Sequence, residues 1–250
     1  MRFSIKLSLS KPEIPIYYRT ALVSYMKKIL EGTTYFDLYY RKKFPKPFTF
    51  AVYLPIKKIE ENKILLKAGK NKQPFITWNV SFADTKLALT FTSEIYKKQK
   101  HRWRNEVEFS LIGIELLKEK LPPETEKVIF KTLSPVVVRG KDKKVIPPTA
   151  ENFEEEFNKV QKKIFETLGF NYEPVRIKPK KCDNLNYFCI KKQVIKMIWS
   201  NTENKVVKIP SYDGIFELEG NPEILKMLYR KGLGEKTSDG FGMVEVIKGS

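Results

Sequence analysis

"MRFSIKLSLSKPEIPIYYRTALVSYMKKILEG", residues 1–32, places a strand directly before a helix. Phe3, Ile5, Leu7 and Leu9 alternate with Arg2, Ser4, Lys6 and Ser8, the period of a half-buried strand rather than of a signal peptide. Ala21, Leu22, Tyr25, Met26, Ile29 and Leu30 then recur at helical spacing, and Gly32 stops the helix. This opening step fixes how the rest is read.

"PFTFAVYLPI" (Pro47–Ile56) is an aromatic, β-branched strand. Strand candidates follow at Ile64–Lys67 and Pro74–Phe82, across the polar turn "AGKNKQ". Asp84 caps a helix carrying Leu87, Ala88, Phe91 and Ile95 on one face, and Asn105–Leu117 is another strand. Beyond a link at Lys118–Lys127 the order recurs: strand, helix with Phe153, Phe157, Val160, Ile164 and Leu168, strands to Glu219, a short helix after Asn221, and a last strand "FGMVEVI". The reading is α+β: two tandem ferredoxin-like (βαββαβ) domains with antiparallel sheets, residues 1–120 and 121–250.

Lys and Arg number 47 against 29 Asp and Glu, a formal charge of +18. Such a surface attracts polyanions in a salt-dependent way, nucleic acid before an anionic membrane. With hydrophobic residues at 42%, global disorder is excluded. No apolar run approaches the ~18 residues of a membrane span, so a soluble, cytoplasmic protein is expected. Cys182 and Cys189 match neither a zinc pair nor a redox CxxC; both are expected reduced, with a packing role. A single histidine, His101, lies in the basic run "YKKQKHRWR" and reads as a solvated residue. The glutamates of "FEEEF" (Phe153–Phe157) point in different directions on a helix, so no metal site and no cofactor are expected.

"KGLGEKTSDGFGMVEV" (Lys231–Val246) is the densest glycine stretch. Glycines let a backbone approach a ligand, and successive N–H groups can face one anion. Glu235 stands where a Walker A loop needs glycine before Lys-Thr, and the loop precedes a strand, unlike a dinucleotide fingerprint. A phosphodiester backbone fits; a mobile connector is the bland alternative.

This stretch resembles the C-terminal glycine-rich loop of the CRISPR repeat-RNA processing endoribonucleases of the RAMP superfamily, the sixth Cas family. "MRFSIKL", "KPFTFAVYL" and "KTLSPVVVR" (Lys131–Arg139) are similar to strands of the same family. The resemblance implies tandem ferredoxin-like folds, CRISPR repeat RNA (precursor CRISPR RNA) as partner and cleavage without metal. In that reaction the 2′-hydroxyl attacks the adjacent phosphate, giving a cyclic phosphate and a 5′-hydroxyl. It further implies a helix tyrosine at Tyr25, a lysine at Lys46 and, at Tyr40, a position where the family often has histidine. Tyrosine is a poor base near neutral pH, but the following Arg41, Lys42 and Lys43 can lower its pKa. Tyr39 or Tyr40 replaces the histidine, or positioning and cations carry the reaction, or the chain binds RNA without cutting it. RNA contacts are expected from Arg41, Lys42, Lys43, Lys231, Gly232, Gly234, Lys236, Ser238, Gly240, Phe241 and Gly242.

Basic runs interleaved with aromatics at "YYRKKFPK", "YKKQKHRWR" and "RIKPKK" favour a groove between the domains, with Tyr17, Tyr18 and Trp103 as stacking candidates. An effector complex is a further possible partner, and the chain is a monomer or a homodimer. A general RNA-binding or assembly protein is the reading from outside the family.

Overall fold

The computed structural model describes residues 1–42, 44–67, 74–121, 124–182, 188–198 and 205–249. In chain order the elements are β1 (Arg2–Leu9), β2 (Glu13–Pro15), α1 (Tyr18–Leu30), the three-residue α2 (Thr34–Phe36) running into a π turn (Asp37–Arg41), β3 (Phe48–Tyr53), β4 (Ile56–Ile59), β5 (Lys63–Leu66), β6 (Phe75–Phe82), α3 (Thr85–Lys97), β7 (Lys100–Trp103) and β8 (Val107–Leu117). The second half runs β9 (Lys127–Thr132), α4 (Phe153–Thr167), β10 (Arg176–Pro179), β11 (Ile190–Ile198), β12 (Val206–Glu219), α5 (Pro222–Lys231), a 3-10 turn (Thr237–Asp239) and β13 (Val244–Gly249).

The first sheet has the order β3-β6-β1-β8-β7 and the second β10-β12-β9-β13, with every pair antiparallel. Reduced to the βαββαβ elements, both sheets show the same spatial order: second strand, third, first, fourth. These are tandem ferredoxin-like folds. The helix caps behave as the sequence predicts. Asp84 accepts from the Leu87 N–H at 3.0 Å, and Asn221 accepts from the Glu223 N–H at 2.9 Å.

Four features depart from the sequence reading. β2, β5 and β4 form a separate small sheet, and β7 adds an edge strand where a solvated basic run was expected. β12 is long enough to serve two partners: Ile215–Glu219 pair with β9, while Val206–Gly214 pair with β11 as a hairpin. Cys182 and Cys189 are joined in a disulfide, contrary to the expected reduced pair. The cause is local pairing. Lys181 bridges Phe188 and the Cys189 N–H donates to Lys180 O, so the two Cα atoms lie 5.0 Å apart.

Each half has its own core. Phe50, Trp78, Phe91 and Phe109 lie in the first, and Phe130, Phe157, Phe165 and Phe216 in the second. Polar ties join the halves, among them the following. Arg2 sends Nη2 to the carbonyls of Tyr229 (2.8 Å) and Val244 (2.6 Å). Thr49 Oγ1 donates to Phe241 O at 2.7 Å, and Thr20 Oγ1 accepts from the Ile198 N–H at 3.0 Å. Among the described residues no helix is long and apolar enough to cross a membrane.

Candidate active site and nucleic-acid interface

Helix α1 has two working faces. Ala21, Leu22, Tyr25, Met26, Ile29 and Leu30 are buried on the first sheet. Thr20, Ser24 and Lys27, three or four residues apart, share the other side. They line a cavity of about 250 Å³ whose further walls include Trp103 of β7, Ile198 of the hairpin, and Lys236 and Asp239 of the glycine loop. The cavity thus lies where both halves meet.

The segment after α1 is ordered by its own side chains. Thr33 accepts from the Phe36 N–H, Arg41 Nε lies 3.1 Å from Asp37, and the Phe36 and Tyr40 rings are 5.5 Å apart. Lys46 Nζ sits 4.9 Å from the centre of the Tyr40 ring. Burial raises the Tyr40 pKa above its ordinary value, with the Asp239 charge adding to it. Burial lowers that of Lys46, against the pull of Asp239. So Tyr40, Lys46 and Asp239 sense one another across the domain boundary. The expectation that neighbouring cations depress Tyr40 is corrected: burial and the Asp239 charge both act upward, and the phenol stays protonated at neutral pH. Tyr39 is buried, and burial raises its pKa likewise. Arg41 and Lys42 are exposed, whereas Lys43 lies outside the described residues.

Tyr25 is not with them. Its side chain is fully buried, flanked by Trp78, His101 and Phe109, and its hydroxyl donates to Lys98 O at 2.9 Å. Its neighbours on the helix, Leu22, Met26 and Ile29, already marked this face as core. His101 is the opposite surprise. It is half-buried, its ring lies parallel to Tyr25 (5° between planes, centroids 5.1 Å apart), and Nε2 is 3.2 Å from Ser24 Oγ. The alternation of exposed Lys100 and Arg102 with His101 and buried Trp103 was the available signal. Trp103 packs edge-on against Tyr17, whose hydroxyl donates to Glu106.

The glycine loop is far more closed than its sequence suggests. Lys231, Gly232, Gly234, Gly240, Phe241 and Gly242 are buried; Lys236 and Ser238 are partly exposed. Its N–H groups are largely spent within the protein: Leu233 donates to Gly242 O, Glu235 to Val137 O and Gly242 to Pro135 O, each at 2.8 Å. Arg19 Nη1 donates to Gly240 O, and Glu235 is ion-paired with Arg139. The glycines serve close approach. A Cβ on Gly242 (φ +71°) would lie 2.0 Å from Leu233 O, and one on Gly240 would lie 2.5 Å from the Phe50 ring. Lys231 donates to Gly232 O at 3.0 Å, near the Phe165 ring, and burial brings its pKa down to about 7. What the loop offers to the outside is the Lys236–Asp239 edge, a contact of 3.7 Å.

Residues 117–246 match the family model "CRISPR associated protein Cas6, C-terminal". The CRISPR-associated endoribonuclease Cas6 of Pyrococcus furiosus is 28% identical over 212 residues, covering 81% of this chain and 71% of that protein. A solved structure of a Cas6-related gene product from Pyrococcus furiosus superposes with a TM-score of 0.77 at 26% identity, covering 99% of this chain and 98% of that one. A RAMP protein described as binding different RNA substrates superposes at 0.76 with 20% identity, covering 99% of this chain and 100% of that one, a likeness of fold. The model match spans just over half of the sequence, and the chain belongs to the Cas6 family of CRISPR-associated proteins.

Proposed function

We propose that this chain binds CRISPR repeat RNA in the cleft between its two halves and cleaves it by attack of a ribose 2′-hydroxyl on the adjacent phosphate. The observation that carries the reading is the Lys46 ammonium 4.9 Å from the centre of the Tyr40 ring, with the charge of Asp239, a lining residue of the α1 cavity, acting on both. In it, Lys46 places its ammonium on the charge that develops at phosphorus, and the protonated Tyr40 hydroxyl donates to a phosphate or leaving oxygen. Arg41, Lys42, Lys236 and Ser238 take the flanking phosphates. Residues 1–120 and 121–250 act as the two jaws. Tyr25 holds α1 in place rather than touching RNA.

The test is cleavage of a repeat RNA in EDTA, beside the same RNA carrying a 2′-deoxy sugar at the scissile position. Cleavage of the first alone, leaving a cyclic phosphate, is expected; cleavage of both overturns the reading. A second reading, a repeat-RNA binder that does not cut, is favoured by one observation: the position where histidine is common holds a tyrosine that stays protonated. Tight binding with no product would select it. Tyr40→His then reports on the register, since a large gain in rate places residue 40 at the reacting phosphate and no change removes it.

A further inference from the structure

Tyr40 and Lys46 supply a donor and a cation but no proton acceptor for the 2′-hydroxyl. We propose that His101, working through Ser24, is that acceptor; the inference rests on the cleavage reading above.

The geometry is specific. β7 holds His101 opposite Phe109 of β8, and stacking on Tyr25 fixes the plane of the imidazole. Nε2 is thereby aimed at Ser24 Oγ, 3.2 Å away. Ser24 lines the cavity that Lys27, Lys236 and Asp239 also line. An in-line displacement needs its proton acceptor and its leaving-group partner on opposite sides of phosphorus. Ser24 lines the cavity beside Trp103 of β7, with His101 behind it, and Asp239, another lining residue, is the one whose charge acts on Tyr40 and Lys46. Ser24 and Tyr25 of α1 contact the imidazole, and Lys28 of α1 is the charged group that acts on it. Burial first, and then the Lys28 charge, lower its pKa below the ordinary 6.5, so the ring is neutral and able to accept at pH 7.

The step balances. The 2′-hydroxyl proton passes to Ser24 Oγ as the Ser24 proton passes to Nε2. O2′ bonds to phosphorus, the P–O5′ bond breaks, O5′ takes the proton of the Tyr40 hydroxyl, and the imidazolium proton returns through solvent to Tyr40. His101 is thus a positioning residue acting through Ser24, and this also accounts for Tyr25, which forms the platform beneath the ring.

The experiment is single-turnover cleavage of repeat RNA by the full chain from about pH 5 to 9, for wild type, His101→Gln, His101→Ala and Ser24→Ala. Wild-type rate should rise with pH to a plateau, with a midpoint below 6.5. Both His101 variants should lose about 100-fold and that acidic limb, with RNA affinity within about threefold of wild type, and added imidazole should restore rate to His101→Ala. Variants that keep rate and limb overturn the inference and leave the cleavage reading standing. A wild type that binds but never cuts overturns both. If the variants fail to fold, the one histidine of the chain gives an unambiguous ring signal by NMR. A titration of that signal unchanged by bound 2′-deoxy repeat RNA overturns the inference; a shifted one supports it.

Discussion

Two connections meet at the cleft, and they are built on opposite principles. The glycine loop has the composition of a mobile segment, yet it is buried, ion-paired and backbone-bonded into both halves of the protein. The α1–β3 connection has the aromatic and charged composition of a helix, yet it keeps Arg41 and Lys42 exposed and holds Tyr40 and Lys46 in loose ring contact. Glycine content measures how closely backbones can approach, and that freedom serves packing as readily as ligand binding.

Both connections contain a glycine in the left-handed region, which allows a direct contrast. Gly242→Ala drives a Cβ into the Leu233 carbonyl at 2.0 Å. It should cost more than about 3 kcal/mol or prevent folding. Chemical denaturation reads this, and a loss under about 1 kcal/mol would mean that the loop yields.

Next in size is Lys231→Met. The unfolded chain keeps this proton up to pH 10.5, whereas the folded chain releases it near 7. Between those values the unfolded state binds more protons, so stability rises with pH, and the burial penalty is complete below 7. The substitution should therefore stabilise by a few kcal/mol at pH 6, with the gain fading toward pH 10.5. Equal gains at both pH values would show that Lys231 is solvated and keeps its unfolded pKa in the folded chain.

On the other connection, Lys46→Ala should lower the single-turnover cleavage rate about 100-fold, roughly 3 kcal/mol, with RNA affinity little changed. A loss seen in affinity alone would move Lys46 from the reacting phosphate to a flanking one. The smallest effect belongs to Gly32→Ala. Its φ is +85° but nothing lies within 4 Å of the added Cβ, so only the backbone strain of about 1 kcal/mol remains. A loss as large as that of Gly242→Ala would dissolve the contrast.

The fold was legible because element order and helix faces are local properties. Period-2 runs and the Leu22–Tyr25–Met26–Ile29 stripe carry it, and Asp84 and Asn221 mark helix starts. The resemblance pointed to Tyr40 and Lys46. Tyr25, which the resemblance assigns to the reaction, is buried on the core face that its own periodicity marks. The burial of Lys231 was not legible: a lysine in the last turn of a helix normally faces water, and only the packing of α4 near α5, seen in Phe165, closes over it. Cys182 and Cys189 failed as a spacing argument because a strand reversal, not sequence distance, brings them together.

Arg2 carries a consequence for biogenesis. Its guanidinium is buried, stacks 3.7 Å from the Tyr229 ring, and bonds to a carbonyl 242 positions downstream. At a ribosome adding 5–20 residues per second, that side chain emerges some ten to fifty seconds before its last acceptor exists. The amino-terminal sheet must wait through translation with a charged socket unfilled, so a nascent chain stalled before residue 244 should remain open to proteases and chaperones at its very first strand.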